Sequence, residues 1–425
     1  MEYRDRIADH ILKDKLETFG GVLILGPKGC GKTTTAKHFA KSSIEFQDEE
    51  NREKYLAVVE AAPSRLLIGE KPRLFDEWQD APKIWGAIRK NIDDEQDVGS
   101  YILTGSSAMD LFSLPHTGTM RISRMEMYPM SLFESGESNG SVSLSALFDK
   151  PDSFLSCSSG LSFDDLLFAL CRGGWPIVFR IPKKENRLIV AKDLFRQTCA
   201  IDVSSVDGIK RNPVWAETIL KSYARNLCTL ADDKTIYGDV ANATGISEKT
   251  MRSYIEALKR LFIIGDIDAW SPSIRSKTAI RSQKKRCLID PSIAVAALGL
   301  TPEYFNADFK TLGFLFECLC IRDLRIYSQK RQGRISHYRD RYGLEADCVL
   351  HLENGQYALI EFKLGGKEID AGAKHLCKIE ELIKEKNEKE TQIPPSFAFI
   401  ENRHHRRTIR LQKGGWRPRH SHWLP

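Results

Sequence analysis

The chain has 425 residues, 42% of them apolar and 28% charged, with a formal net charge of +6. That length exceeds one hydrophobic core and predicts about two to four compact units, while the apolar share excludes global disorder. No uninterrupted apolar run approaches the ~18 residues that span a bilayer, and the start, MEYRDRIADHILKDK, is charged where a signal peptide is hydrophobic, so a cytoplasmic protein without a membrane partner is expected.

From Gly21 to about Glu134, short apolar strands (GVLILG, PRLFDE, SYILTGS) alternate with helical stretches, which predicts a parallel sheet with crossover helices over residues 1–134. Between the strand VLIL and the helix TTTAKHFA stands GPKGCGKTT, a fit to G-x-x-x-x-G-K-[ST] in the context that motif needs. It predicts ATP binding by Gly26, Pro27, Gly29, Cys30, Gly31, Lys32, Thr33 and Thr34. Glycines let backbone N–H groups close on phosphate oxygens, Lys32 reaches the β- and γ-phosphates, and the Thr33 hydroxyl ligates Mg²⁺.

The strand RLFDE should end with Asp76 near that Mg²⁺ and Glu77 near an attacking water, which turns a binding loop into a hydrolase. An isolated Asp-Glu pair is a solvated turn; one following a phosphate-loop motif at this distance is not. Thr104, ending YILTGSS, is placed to hold the water or the γ-phosphate. Arg121 is a candidate arginine finger, its guanidinium suited to the spread charge of the transition state.

Residues 135–160 are rich in Ser and read as a linker without chemistry. Residues 161–270 read as helical, with a backbone-breaking turn at Gly173-Gly174-Trp175-Pro176. Within them a short helix, a turn at Gly245, an N-cap at Ser247 and an amphipathic helix outline a helix-turn-helix. Lys249, Arg252, Lys259 and Arg260 could meet DNA or RNA phosphates there, although Glu248 and Glu256 dilute the field.

Residues 271–401 return to mixed structure: a helix GFLFECLCIRDLRIYS, strands at SHYRD, EADCVLHL and YALIEFKLG, and a charged helix from about Asp370. Ten cysteines are scattered along the chain, and the closest pair, Cys318 and Cys320, lacks C-x-x-C spacing, so reduced and mostly structural thiols are expected. Asp347, followed after thirteen residues by Glu361-Phe362-Lys363, fits D-x(n)-E-x-K. On a strand Glu361 and Lys363 share a face. Asp347 and Glu361 could then chelate Mg²⁺, with Lys363 acting on water and Glu317 completing the acidic set; the competing reading is an edge strand with a surface ion pair.

With GPKGCGKTT, LFDEWQ, ILTGSS, RISRMEMYPMSLFES, CRGGWP, VDGIKRNP, GFLFE and HYRD through EADCVL to IEFKLG, the chain resembles a bacterial and archaeal family of AAA-type ATPases. These end in a domain of unknown function with a core like that of the PD-(D/E)XK nucleases. The resemblance implies an α/β chain with three parts: a three-layer P-loop NTPase domain, a winged-helix-like middle, and a restriction-endonuclease-like C-terminal α/β domain. The family usually has Gly before the arginine of its fourth motif, whereas Met120 precedes Arg121 here. AAA-type ATPases often complete their site with a neighbour's arginine, which makes a homo-oligomer an expectation too.

Residues 391–425 hold seven Lys or Arg against one acid, and the preceding chain holds 56 of each sign. The body is neutral and the tail basic. Written with permitted codons and read one nucleotide later, Asn402 onward can spell TATTGGLYAYRKEDGVPVIPIGY, a strand, a turn and a second strand. The tail 402–425 therefore has two readings, a basic nucleic-acid arm or a displaced frame, and in the second its charge says nothing about partners. Two functions remain open: an Mg²⁺-dependent ATPase coupled to a nuclease-like domain that binds nucleic acid, or an ATP-dependent regulator or scaffold of protein partners whose C-terminal domain binds without cutting.

Overall fold

The computed structural model describes residues 3–105, 117–149, 159–272, 282–340, 342–390, 397–402 and 409–410. The first region is built on five parallel strands: β1 (Gly21–Leu25), β2 (Ser42–Glu45), β3 (Arg73–Asp76), β4 (Tyr101–Gly105) and β5 (Ile122–Glu126). They lie in the order β2-β3-β4-β1-β5. Strand alternation sorts the apolar runs onto two faces. Leu23, Phe75 and Leu103 pack with Ile84, Trp85 and Ile88 of α4 (Lys83–Glu95). Val22, Ile24, Leu74 and Ile102 pack with Ala8 and Leu12 of α1 (Ile7–Leu16) and Ala36 of α2 (Lys32–Phe39). A sheet buried on both faces by crossover helices gives the three layers expected; α3 (Arg52–Ala61) completes this region.

The Ser-rich stretch after it is not all loop. Leu144–Asp149 forms a short helix, α5, and Phe148 is buried among Cys348, Leu350 and Ile360 of the C-terminal sheet. Leu144, Leu147 and Phe148 recur at helical spacing, a signal that the serine content hides.

The helical region comprises α6 (Phe163–Arg172), α7 (Arg187–Gln197), α8 (Pro213–Arg225), α9 (Asp233–Thr244) and α10 (Glu248–Arg260). A π-turn at Thr198–Asp202 follows α7. Gly245 closes α9 at φ 68°, Ser247 caps α10 by accepting from the N–H of Thr250, and Met251, Tyr254, Ile255 and Leu258 turn inward. The helix-turn-helix outline is therefore present in its parts. An extended arm follows, bridged antiparallel at Ile264–Leu288 and Ile267–Lys285. It leads to α11 (Pro291–Leu298) and the long α12 (Phe309–Ser328).

The last sheet runs β10-β9-β8-β7-β6. Strands β6 (Arg334–Arg339), β7 (Glu345–His351) and β8 (Tyr357–Phe362) form an antiparallel meander. Helix α13 (Gly366–Glu390) crosses over to β9 (Phe397–Asn402), which pairs parallel with β8, and β10 (Ile409–Arg410) pairs with β9. Apart from Asn402 and these two residues, the basic tail lies outside the described residues.

Candidate functional site

The first site lies where the parallel strands end. Gly26 leaves β1 at φ 152°, and a Cβ there would stand 2.1 Å from the carbonyl oxygen of Met127, so only glycine passes. Gly31 caps α2 in the left-handed region at φ 106°. The loop between them leads into the first turn of α2, and a helix start lacks internal acceptors for its first N–H groups, the arrangement that receives phosphate. Lys32 is buried and its ammonium donates to the carbonyls of Gly26 and Pro27, 2.9 Å each. Pro27, Gly29, Cys30 and Thr34 belong to this same loop and helix start.

Beside it, Asp76 ends β3 and gathers hydroxyls. Thr33 Oγ1 donates to Asp76 Oδ1 at 2.8 Å, and Thr104 Oγ1, at the end of β4, donates to the same oxygen. The N–H of Glu77 donates to Thr104 Oγ1 at 3.2 Å. Glu77 holds a left-handed backbone at φ 51°, and its carboxylate accepts from Gln79 Nε2. Thus Lys32, Thr33, Asp76, Glu77 and Thr104 converge on one corner. Its donors are oxygens, a hydroxyl and a carboxylate on adjacent elements, and that set fits Mg²⁺, which takes few protein ligands when phosphate supplies the rest.

Arg121 does not join them. Its carbonyl accepts from the N–H of Gly21, at the opposite end of β1, roughly 16 Å of strand away from the loop. Its guanidinium is paired with Asp93 at 2.7 Å. The sequence shows the arginine before a strand; only the register shows that it enters at the end of the sheet opposite the loop.

Three contacts to the loop carry no motif. Arg6 donates to the carbonyls of Cys30 (2.9 Å) and Tyr128 (2.8 Å) and pairs with Glu134 at 3.1 Å. Lys28 pairs with Asp202 of the helical region at 2.5 Å. Trp175, fully buried, stands 4.0 Å from where a Gly29 Cβ would be. The Gly173–Pro176 turn that carries it is fixed on both sides. The N–H of Met130 donates to Gly174 O (2.6 Å), Gly174 N–H donates to Asp290 Oδ2 (3.0 Å), and the Trp175 indole donates to Ser292 Oγ (3.1 Å). Asp290 accepts from Arg322 at 2.8 Å, Arg322 also pairs with Asp323 at 2.7 Å, and Asp323 accepts the N–H of Leu132. Arg322 and Asp323 lie on α12. One buried polar cluster thereby joins the loop, the helical region and that helix.

The same helix carries Glu317 toward the second set. Asp347 on β7, Glu361 on β8 and Lys363 just beyond it line one cavity with Glu317. Lys363 Nζ lies 2.5 Å from Glu361 Oε2 and 3.5 Å from Asp347 Oδ2, and the N–H of Phe362 donates to Asp347 Oδ2 at 2.9 Å. A fifth member comes from the arm. Lys285 Nζ lies 2.5 Å from Glu317 Oε1, 2.8 Å from the carbonyl of Asp347 and 4.0 Å from its Oδ1.

Burial, with the Asp347 charge nearby, pushes Glu361 up to about 7, and burial pushes Glu317 up to about 8 against the pull of Lys285. Burial would lower Lys285, but the charges of Glu317 and Asp347 outweigh it and raise the ammonium above its ordinary value. The set borders a cavity of about 1290 Å³. Among the described residues no group of three or more His, Cys, Asp or Glu is arranged to hold a metal ion. Two ammonium groups, Lys285 and Lys363, stand within 4.0 Å of these carboxylates, whereas at Asp76 it is hydroxyls that converge.

On the helix-turn-helix, Arg252 pairs with Glu248 (2.7 Å), Lys259 with Glu256 (2.9 Å) and Arg260 with Asp207 (4.0 Å). Three of the four cations expected to meet phosphate thus meet carboxylates of the chain itself. Among the described residues no helix is long and apolar enough to cross a membrane.

Residues 19–135 match the family model described as an AAA domain. Residues 163–304 match one described as a domain of unknown function (DUF8612), and residues 312–408 one described as a domain of unknown function (DUF4143). A search of curated proteins finds no match. An AAA domain points to ATP binding and, in general, to ATP hydrolysis.

Proposed function

With an AAA-domain match at residues 19–135 as the premise, we propose that the chain is an Mg²⁺-dependent ATPase whose nucleotide state is passed to its C-terminal domain. The observation that carries this reading is the convergence of Thr33 and Thr104 on one oxygen of Asp76, beside a lysine held by its own loop. The loop N–H groups and Lys32 bind and orient the β- and γ-phosphates of ATP. Thr33 and Asp76 would hold Mg²⁺, which supplies charge neutralisation on those phosphates. Glu77, steadied by Gln79, orients and deprotonates the attacking water, and Thr104 fixes Asp76 and the Glu77 backbone.

Transmission follows the buried cluster from Trp175 through Asp290 to Arg322 on α12. Arg121, at the end of the sheet opposite the loop, could serve only the nucleotide of a second copy of the chain, in a homo-oligomer.

A second reading concerns the output. The internal pairing of Arg252, Lys259 and Arg260 favours an ATP-dependent regulator or scaffold of protein partners over a protein that reads DNA or RNA. Phosphate release with Mg²⁺, with and without DNA or RNA and with Lys32→Ala as the blank, tests both. Turnover that survives Lys32→Ala overturns the ATPase reading. Lys32-dependent turnover stimulated by nucleic acid overturns the second reading and restores the coupled nuclease-like one, whereas indifference to nucleic acid supports it.

A further inference from the structure

We propose that the ammonium of Lys285 is a built-in cation standing where the carboxylates of the C-terminal set would otherwise take a divalent metal, so that this site is metal-independent. The proposal rests on no property of the nucleotide site.

The position is the first ground. A divalent ion in a set of this kind bridges oxygens from the helix and the sheet at about 2.0–2.6 Å. Lys285 Nζ already makes that bridge, to Glu317 Oε1 on α12 at 2.5 Å and to the Asp347 carbonyl on β7 at 2.8 Å. An ion held by the same oxygens would lie against a positive charge in a buried place, where like charges repel most strongly. The remaining carboxylate is served as well, since Lys363 sits 2.5 Å from Glu361. Three carboxylates thus have two ammonium groups inserted among them.

The way Lys285 is held is the second ground. It comes from the arm, 62 residues before Asp347, outside the D-x(n)-E-x-K pattern. Its backbone exchanges two hydrogen bonds with Ile267, 2.9 Å each. Neighbours on an extended strand face opposite ways. Arg286 accordingly points away and is anchored to Asp233 (2.6 Å), Asp266 (3.1 Å) and the Tyr223 hydroxyl (2.9 Å). With Arg286 fixed on one side, Lys285 is aimed into the carboxylates on the other and is nearly covered, its side chain 9% exposed. An ion pair of mobile surface chains would have neither the anchor nor the burial.

The test is Mn²⁺ titration of the nucleotide-free full chain after chelator dialysis, with free Mn²⁺ read by electron paramagnetic resonance. Wild type and Asp347→Asn should take up Mn²⁺ equally weakly. Lys285→Gln should gain a site that the double variant Lys285→Gln/Asp347→Asn loses. A wild-type site abolished by Asp347→Asn overturns the proposal, and so does a folded Lys285→Gln protein that gains none. Should Lys285→Gln fail to fold by circular dichroism, the wild-type and Asp347→Asn comparison decides alone.

Discussion

Lys28 of the phosphate loop and Asp202 of the helical region meet in an ion pair of 2.5 Å. Asp202 is nearly buried while Lys28 is half exposed, so the pair adds little to stability, about 0–1 kcal/mol. Its effect should fall on nucleotide binding. Asp202→Asn is expected to leave the melting temperature nearly unchanged and, by freeing an ammonium for phosphate, to lower the KM for ATP by roughly 2–5-fold, read by steady-state phosphate release.

Glu77 and Lys32 should separate chemistry from binding. Glu77→Gln is expected to keep ATP affinity and lose turnover by about 10²–10⁴-fold, the usual worth of a positioned base. Lys32→Ala should lose both. Equilibrium binding of a fluorescent ATP analogue beside single-turnover hydrolysis distinguishes the two.

Arg322 and Asp290 are both buried, and removing one partner strands the other. Arg322→Met is expected to destabilise the chain by about 3–5 kcal/mol, measured by urea unfolding. The Asp290 carboxyl is held below its ordinary range: burial raises it, but Arg322 and the Ser292 hydroxyl lower it further. Its contribution is therefore present above the unfolded value, about 3.9, and is lost as pH falls through the lower folded value.

The carboxylates of the C-terminal set should give the opposite slope. Glu361 and Glu317 titrate in the folded chain at about 7 and about 8. The folded state thus binds more protons than the unfolded one between about pH 4.3 and those values, and stability must fall as pH rises through that window. Melting temperatures taken from pH 5.5 to 8.5 should decline. Glu361→Gln should flatten part of the decline, on the order of 1–3 kcal/mol; an unchanged slope would count against the burial assigned to this carboxyl.

The nucleotide corner was legible because its chemistry is local: a glycine pattern between a strand and a helix, and acids and a threonine closing the next strands. Glu361 and Lys363 were legible for the same reason, as strand alternation around Phe362, while Glu317 and Asp347 were set beside them only by the family resemblance. What escaped reading are contacts between remote segments. Nothing near Lys28 announces Asp202, and nothing near Asp347 announces Lys285. GGWP reads as a turn, and only packing sets its indole on Gly29. The place of Arg121 was not legible either, because a motif gives the order of residues but not the end of the sheet at which they enter.

Helix α12 carries Glu317 and Arg322 five positions apart, one committed to the C-terminal carboxylates and the other to the cluster beside the phosphate loop. Adding or deleting one residue between them would rotate one set by about 100° away from its partners. The distance between these two positions is thus a phase as well as a length. Length variation among chains of this design should be confined to the connecting loops and spare the five positions that keep the two sites in register.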